Sequence, residues 1–478
     1  MKIPERGLTR EDVFEKLAQY RRDDTPWREG RTWAYVYDPG EKAEAVIHDA
    51  FASYLGENGL DPTAFPSALR MENEVIAMAA NHLHGDASVV GSFTSGGTES
   101  LICAVKAARD WARERRPRVE LPEIVLPETA HASFHKAAHY LGLKTVVTPV
   151  DPQTYRADAD AMRDAITENT VLLVGSAISY AHGVVDPIRE IGALALEKDL
   201  LFHVDGCMGG FLLQYFARLG SPVPEYDFRV PGVTSISMDL HKYAFAAKGA
   251  SVVLYRDKDL RKYQMYACSN WMGYTVINTT VQSTKSAGPI AGAWAALTYI
   301  GDSGYLEFAR QVRDATAKIV SMVDAHPDLR MLGRPHMNLL SFASDSVSVF
   351  HIADEMKEKR WFVQPQLAYN TSPENIHLSV NPASVHWTDA MLTDLAACVE
   401  TARNLPSGEL APRIVEAFGK LSPEELTDEV FESLLALAGV SSTSLPGRMA
   451  EINEVLNALP VPLRERLLVE YLNVLYKS

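Results

Sequence analysis

Cysteine is scarce in this sequence: four residues, Cys103, Cys207, Cys268 and Cys398, lie far apart and form no Cys-x-x-Cys pair. That spacing excludes a disulfide framework and a thiolate zinc site, and no other metal site is expected; a reducing, cytoplasmic setting fits best. Long apolar runs are also missing. No window holds the roughly 18 uninterrupted apolar residues of a membrane span, and the start, Met1-Lys-Ile-Pro-Glu-Arg-Gly7, lacks the apolar core of a signal peptide. A soluble, unprocessed chain without a membrane span is expected. Positive charge is in deficit, with a formal net charge of −15 and a pI near 5.4. Such a chain has no clustered Lys and Arg for a nucleic-acid backbone, so nucleic-acid partners are excluded. Neither a Gly-Lys-Ser/Thr phosphate loop nor a G-x-G-x-x-G turn is present, which argues against nucleoside triphosphates and dinucleotides.

What the chain does have is enough apolar material for more than one core: 478 residues, 47% of them hydrophobic. An N-terminal arm and helix are expected over residues 1–60, a large domain over 61–324, a smaller α/β domain over 325–404 and a helical extension over 405–478. In the arm, a charged helix from Thr9 to Arg22 precedes the aromatic segment Trp33-Ala-Tyr-Val-Tyr-Asp-Pro39, read as a short strand or extended arm, and a helix from Lys42 to Tyr54. Another helix is introduced by Pro66 and Ser67. Short apolar runs then end near Thr94, Pro127, Pro149, Gly175, Asp205, Ser237 and Tyr255, with helical stretches such as Ser133 to Leu141, Ala157 to Ile166 and Pro187 to Lys198 between several of them. This alternation predicts an α/β fold with a mostly parallel sheet buried on both faces. Beyond an irregular stretch from Tyr266 to Gly288, helices are predicted over Ile290 to Ile300, Tyr305 to Asp324 and Ala353 to Arg360. A Leu-Pro-Ser-Gly-Glu turn at Leu405 opens the helical tail, whose stripe of Phe431, Leu434, Leu435, Leu437, Leu467, Leu468, Leu472 and Leu475 needs a partner surface.

In such sheets ligands bind where strands end. At those ends stand Asp205, His131 and the glycine turn within Thr94-Ser-Gly-Gly-Thr-Glu-Ser100. A glycine turn opening a helix brings backbone N–H groups and the helix dipole to an anion. Lys242 follows His241 directly, between two apolar runs. Each has a plain reading: a surface lysine, a turn aspartate, a helix-capping histidine at His131, a satisfied core histidine at His203, packing tyrosines at Tyr35 and Tyr37. Taken together, however, they offer an amine, an acid, a flat ring and an anion turn. Those are the four groups that pyridoxal phosphate needs from a protein. Lys242 would carry its aldehyde as a Schiff base, Asp205 would keep the ring nitrogen protonated, and His131 would lie over its face. Gly97, Thr98 and His241 would hold its phosphate, with Ser176 among the cofactor contacts.

The stretches Thr94 to Ser100, His131-Ala-Ser-Phe-His-Lys136, His182-Gly-Val-Val-Asp-Pro187, Phe202 to Leu213, Phe228 to Ser237 and His241 to Tyr255 together resemble the sphingosine-1-phosphate lyase branch of the group II pyridoxal-phosphate decarboxylases. The resemblance runs from about Arg31 to Arg310, with weaker support through the small domain. It implies a fold type I enzyme of the aspartate aminotransferase kind, with a seven-stranded sheet in its large domain. It also implies a homodimer with shared active sites, in which Tyr37 enters the partner's site. Lys248 matches a family lysine near the substrate phosphate.

The implied reaction is a retro-aldol cleavage. A proton leaves the β-hydroxyl of a phosphorylated 2-amino-3-hydroxy substrate, the Cα–Cβ bond breaks, and an aldehyde and phosphoethanolamine result. Two substrate contacts depart from the pattern. The family's Asn-Pro-Leu-His-Pro stands here as Asn58-Gly-Leu-Asp-Pro62, placing Asp61 where a histidine is expected, and its Gly-Ser-Arg-Pro-Gly-Gly stands as Ser283-Thr-Lys-Ser-Ala-Gly288, placing Lys285 where arginine is expected. An acid repels a phosphate and lysine lacks the bidentate fork of arginine, so a different head group is open. An α-amino acid decarboxylase, with Lys285 or Lys248 on a substrate carboxylate, is the alternative. A catalytically idle cofactor-binding homologue that acts through its C-terminal helices is the third.

Overall fold

A computed structural model describes residues 2–405, 408–440 and 447–476. The chain opens with α1 (Arg10–Tyr20), an extended arm and α2 (Glu41–Ser53), then α3 (Pro66–His82) and β1 (Val90–Thr94). The αβ alternation follows as α4 (Gly97–Arg115), β2 (Glu123–Pro127), α5 (Ser133–Leu141), β3 (Lys144–Thr148), α6 (Ala159–Asp164), β4 (Thr170–Ser176), α7 (Ile188–Glu197), β5 (Leu201–Asp205), α8 (Leu212–Arg218), β6 (Ser235–Asp239) and β7 (Ser251–Tyr255).

These strands form one seven-stranded sheet in the order β1-β7-β6-β5-β4-β2-β3. The pairs among β2 to β6 are parallel, and β7 runs antiparallel to both β6 and β1. The expected architecture is therefore present. Both faces are covered: along β2, Val125 points into one apolar cluster while Ile124 and Leu126 point into another on the opposite face. Strands buried on both sides must be apolar throughout, which is why their runs stood out in the sequence. β6 is offset from its expected place. It begins at Ser235 rather than Val233, because His203 pairs with Ser235 and Asp205 with Ser237, and so Asp239 becomes its last residue.

After α9 (Lys258–Arg261), the hairpin β8 (Tyr266–Cys268) and β9 (Val276–Asn278) occupies the irregular stretch. The two predicted helices that follow are halves of α10 (Ala287–Ala325), interrupted at Gly301, where φ is +65° and no helix can continue. A second sheet has the order β10 (Arg330–Met331), β11 (Leu339–Ala343), β13 (Asn375–Ser379), β12 (Gln364–Gln366), packed with α11 (Val349–Glu358) and α12 (Thr388–Arg403). α11 starts four residues before the predicted Ala353. The apolar residues of this region join those of the main sheet in one continuous cluster.

The tail comprises α13 (Leu410–Phe418), α14 (Asp428–Leu437), α15 (Ala450–Ala458) and α16 (Val461–Leu475). It has its own cluster, including Phe431, Leu434, Val455, Leu463 and Leu467. Five of the eight residues of the predicted stripe, Phe431, Leu434, Leu435, Leu437 and Leu467, are thus satisfied within the tail, while Leu468, Leu472 and Leu475 face solvent. α15 is anchored to α11, where the Asp354 carboxylate accepts the N–H groups of Met449 and Ala450, both at 2.9 Å. Pro406 and Ser407 of the turn expected at Leu405 lie outside the described residues.

The loop after β4 is fastened to the segment leading into β11 through Gly183, whose carbonyl accepts the N–H of His336 at 3.0 Å. Gly183 has φ +71°, and a Cβ there would lie 1.9 Å from the Leu339 carbonyl oxygen. Gly183→Ala is expected to cost about 2–4 kcal/mol through strain and forced movement of β11. A thermal melt checks this, and an unchanged midpoint would contradict it.

Candidate active site

Every strand of the large sheet except β7 points its carboxyl end toward the same edge. There a cavity of about 380 Å³ is lined by Gly97, Thr98, His131, Ser176, Asp205, His241 and Lys242, together with Asp239, Cys207 and Tyr180. The sequence-predicted cofactor residues thus meet in one place. A larger cavity, about 770 Å³, lies beside residues 59–62 and 283–285 and contains none of them.

The turn after β1 is fixed from within. Thr94 Oγ1 meets Ser100 Oγ at 2.6 Å, and the buried Glu99 carboxylate accepts Ser95 N–H at 2.6 Å and Gln282 N–H at 3.1 Å. At Gly97 a Cβ would come within 2.9 Å of Cys207 Sγ and of Asp239 Oδ2. Only glycine leaves the first turn of α4 open to an anion at that point. Thr98 Oγ1 lies 2.8 Å from Ser133 Oγ, which lies 3.0 Å from His131 Nδ1. Because Ser133 N–H also donates to His131 Nδ1 at 3.2 Å, the neutral ring carries its proton on Nε2. The ring is thereby tied to the start of α4.

Asp205 ends β5, and its Oδ1 accepts Cys207 N–H at 3.0 Å and Ser237 Oγ–H at 3.4 Å. Ser176, at the end of β4, donates its N–H to Asp186 at 2.7 Å. His203, by contrast, is the satisfied core histidine: it is fully buried, 2.8 Å from Ser235 Oγ and 3.2 Å from Ser237 Oγ, and burial pushes it down to about 4.

Lys242 Nζ lies 2.9 Å from Asp239 Oδ2. Burial opposes its charge, but Asp239, with Cys207 and Asp205 adding, reverses that and raises the ammonium above the usual lysine range. His241 accepts Ala250 N–H on Nδ1 at 3.1 Å and holds Nε2 3.7 Å from the same carboxylate. Lys248 has the opposite balance. Burial and then Lys242 bring it down to about 8, and its ammonium sits 4.6 Å from the center of the Tyr37 ring.

Tyr37 stands at the edge of the site. Its ring packs edge-on against Tyr243 at 5.0 Å, and its hydroxyl lies 3.9 Å from Met208 Sδ, all within one chain. The arm thus places Tyr37 beside Tyr243 and Lys248 of the same chain. Asp61 and Lys285 stand elsewhere than expected. Asp61 is spent on its own turn, accepting Thr63 N–H at 2.8 Å and Thr63 Oγ1–H at 2.6 Å. Lys285 is buried against Glu72 at 2.6 Å. Both line the larger cavity, apart from Lys248.

Among the lining residues that were not anticipated are Tyr180, Cys207, Glu99 and Asp239. Tyr180 donates to Gln364 Oε1 at 2.7 Å and approaches His131 edge-on at 6.5 Å, with burial pushing its phenol up to about 12. Its signal was its position, two residues before the histidine of the quoted His182 stretch. Asp239 stands three residues before Lys242, on the same turn.

Comparison with known proteins agrees with the fold. The family model for the pyridoxal-dependent decarboxylase conserved domain matches residues 3–344. A second model, HTH_PLP, for a C-terminal domain of pyridoxal-dependent enzymes, matches residues 412–474. A sphingosine-1-phosphate lyase of Arabidopsis thaliana is 36% identical over 444 residues, covering 91% of this chain and 80% of that one. The enzyme of that name from Dictyostelium discoideum is 36% identical over 415 residues, 86% of this chain and 77% of the other. Among solved structures, a Burkholderia pseudomallei sphingosine-1-phosphate lyase superposes with a TM-score of 0.81 at 37% identity, over 84% of this chain and 93% of that one. A Lactobacillus brevis glutamate decarboxylase, at 20% identity and a TM-score of 0.75 over 85% of this chain and 96% of that one, shares the fold. With an amine, two acids, a tethered imidazole and an open helix N-terminus gathered at one sheet edge, the chain belongs to the pyridoxal-dependent decarboxylase family, in its sphingosine-1-phosphate lyase branch, as a lyase that works with pyridoxal phosphate.

Proposed function

We propose that this lyase cleaves the Cα–Cβ bond of a phosphorylated 2-amino-3-hydroxy compound to an aldehyde and phosphoethanolamine. The observation that carries the reading is the convergence of Lys242, Asp205, His131 and the Gly97–Thr98 turn on one cavity, with Lys248 and Tyr37 at its side. When bound, the cofactor supplies an electron sink for the pair released at the substrate's α-carbon. The protein supplies the rest. Lys242 offers the nitrogen that holds the aldehyde, Asp205 holds a proton at the ring nitrogen, and His131 limits the face. Gly97, Thr98 and His241 take the phosphate, with Ser176 beside them.

Burial raises the Tyr37 phenol, with Tyr180 and then Asp239 adding to it, so near neutral pH Tyr37 donates a hydrogen bond rather than removing a proton. Tyr180 does the same. Lys248 is the cation left to receive the anionic group of the substrate. The division into an arm, a large domain to 324, a small domain to 404 and a tail is kept as part of this reading, supported by the separate apolar cluster of the tail. So is a cytoplasmic homodimer. Cytoplasmic placement is supported by the four free cysteines. Dimerization is supported by the exposed apolar side chains Trp271, Tyr274 and Ile277 on the β8–β9 hairpin, and in it Asp61 and Lys285 would serve the neighboring site.

Purified protein given a phosphorylated sphingoid base and, separately, a panel of amino acids is expected to release a long-chain aldehyde and no CO2. Release of CO2 instead would favor the decarboxylase, and silence on both would favor the idle homologue. The holoprotein is expected to absorb at about 420 nm, and Lys242→Ala to lose that band; an unchanged spectrum would sink the assignment.

Lys248 also predicts a pH dependence. It is charged below about 8 and loses its proton as pH rises through that value. KM for the phosphorylated substrate is therefore expected to climb, by up to about tenfold per pH unit above it, and Lys248→Met to show a high KM with that dependence gone. A KM that stays flat across this range in the unmodified enzyme would refute the anion role.

A further inference from the structure

Asp239 is a second carboxylate in the Lys242 cavity, and the roles above leave it unused. It is 2% exposed. Oδ2 faces Lys242 Nζ at 2.9 Å, and Oδ1 is buried with no hydrogen-bond partner. The same carboxylate lies against the first residue of α4, where a Cβ on Gly97 would be 2.9 and 3.0 Å from its two oxygens. One acid thus stands both beside the amine and at the positive end of the helix dipole. Several other groups face this pair. His241, Tyr243 and Lys248 come from its own segment and Ser251 from β7. Asp205 and Cys207 come from the end of β5, Tyr180 from the loop after β4, and Tyr37 from the arm.

We propose that Asp239 is a positioning residue for cofactor capture: its carboxylate pins Lys242 as an ammonium and occupies the N-terminal end of α4 until the phosphate-bearing aldehyde arrives. The inference rests on the cavity being the cofactor site. For capture, one proton leaves Lys242 Nζ to solvent, the nitrogen bonds to the aldehyde carbon, and the carbonyl oxygen departs as water. An amine held as its ammonium attacks slowly, and a carboxylate beside Gly97 repels a phosphate. Burial would raise the Asp239 carboxyl, yet Lys242 and then His241 hold it below the usual range, so the acid stays ionized at neutral pH and the restraint persists.

The test mixes cofactor-free full-length protein with pyridoxal phosphate and follows the band at about 420 nm as a function of pH. In the unmodified protein the capture rate should rise about tenfold per pH unit from neutral to alkaline conditions. Asp239→Asn should capture at least about tenfold faster at neutral pH, with a flatter profile, since each unit removed from the amine's pKa raises its free fraction tenfold. Damage to the fold slows capture at every pH, so acceleration is the signature. Equal or slower capture with an unchanged profile would overturn the proposal. If the unmodified protein never forms the band, the cofactor reading falls and takes this one with it, whereas a band in both proteins with matching profiles removes only the role of Asp239. Should Asp239→Asn fail to fold, competitive acetylation of the unmodified cofactor-free chain decides. Lys242 labeling only at strongly alkaline pH supports the ion pair, and labeling at neutral pH like an exposed lysine refutes it.

Discussion

A lysine stays charged inside a protein only when acids are buried with it, because desolvation of an ammonium otherwise forces it neutral. At Lys242 that acid is Asp239, 2.9 Å away. The rest of the site follows from keeping this pair where it is. β6 must end at Asp239 so that the next turn carries His241 and Lys242 over the sheet edge, and β5 must pair with β6 in the register that puts Asp205 opposite Ser237. α4 must begin with a glycine because any side chain at Gly97 would run into the carboxylate. Sheet register, turn chemistry and charge therefore specify one another.

Much of this was legible in the sequence. Most of the strands are short, apolar and buried, so their ends were visible within a residue or two, and with them Asp205, His131 and the glycine turn. What was not legible had spatial causes. β6 slides two residues from where Val233 and Thr234 suggested, because pairing with β5 outweighs local β propensity, and this hid Asp239 as a strand-end residue. Tyr180 and Cys207 carry no signal of their own beside their better-known neighbors. Asp61 and Lys285 were grouped with Lys248 because motifs align along the chain, yet hydrogen bonds to Thr63 and an ion pair with Glu72 keep them beside a different cavity. The packing of Tyr37 on Tyr243 and Met208 joins the arm to the turns after β6 and β5 from far away in the chain, which no local pattern announces.

The molecule separates where electrons go from what is bound. Asp205 ends β5, and Lys242 and His131 stand on the turns that follow β6 and β2, three strands buried along their whole length. The groups we propose to bear on the substrate sit on the arm, on loops and near the exposed hairpin, where change is cheap. The tail follows the same logic. Its helices close their own apolar cluster and meet the small domain through the Asp354 cap on α15.

The central claim is that Lys242, among all the lysines, is the residue joined to the cofactor. Reducing the holoprotein with borohydride, digesting it and sequencing the peptides by mass spectrometry tests this directly. The account predicts a pyridoxyl-phosphate mass on Lys242 within the peptide that contains His241 and Tyr243. A label on Lys248, Lys285 or any other lysine, or no label at all, would contradict it.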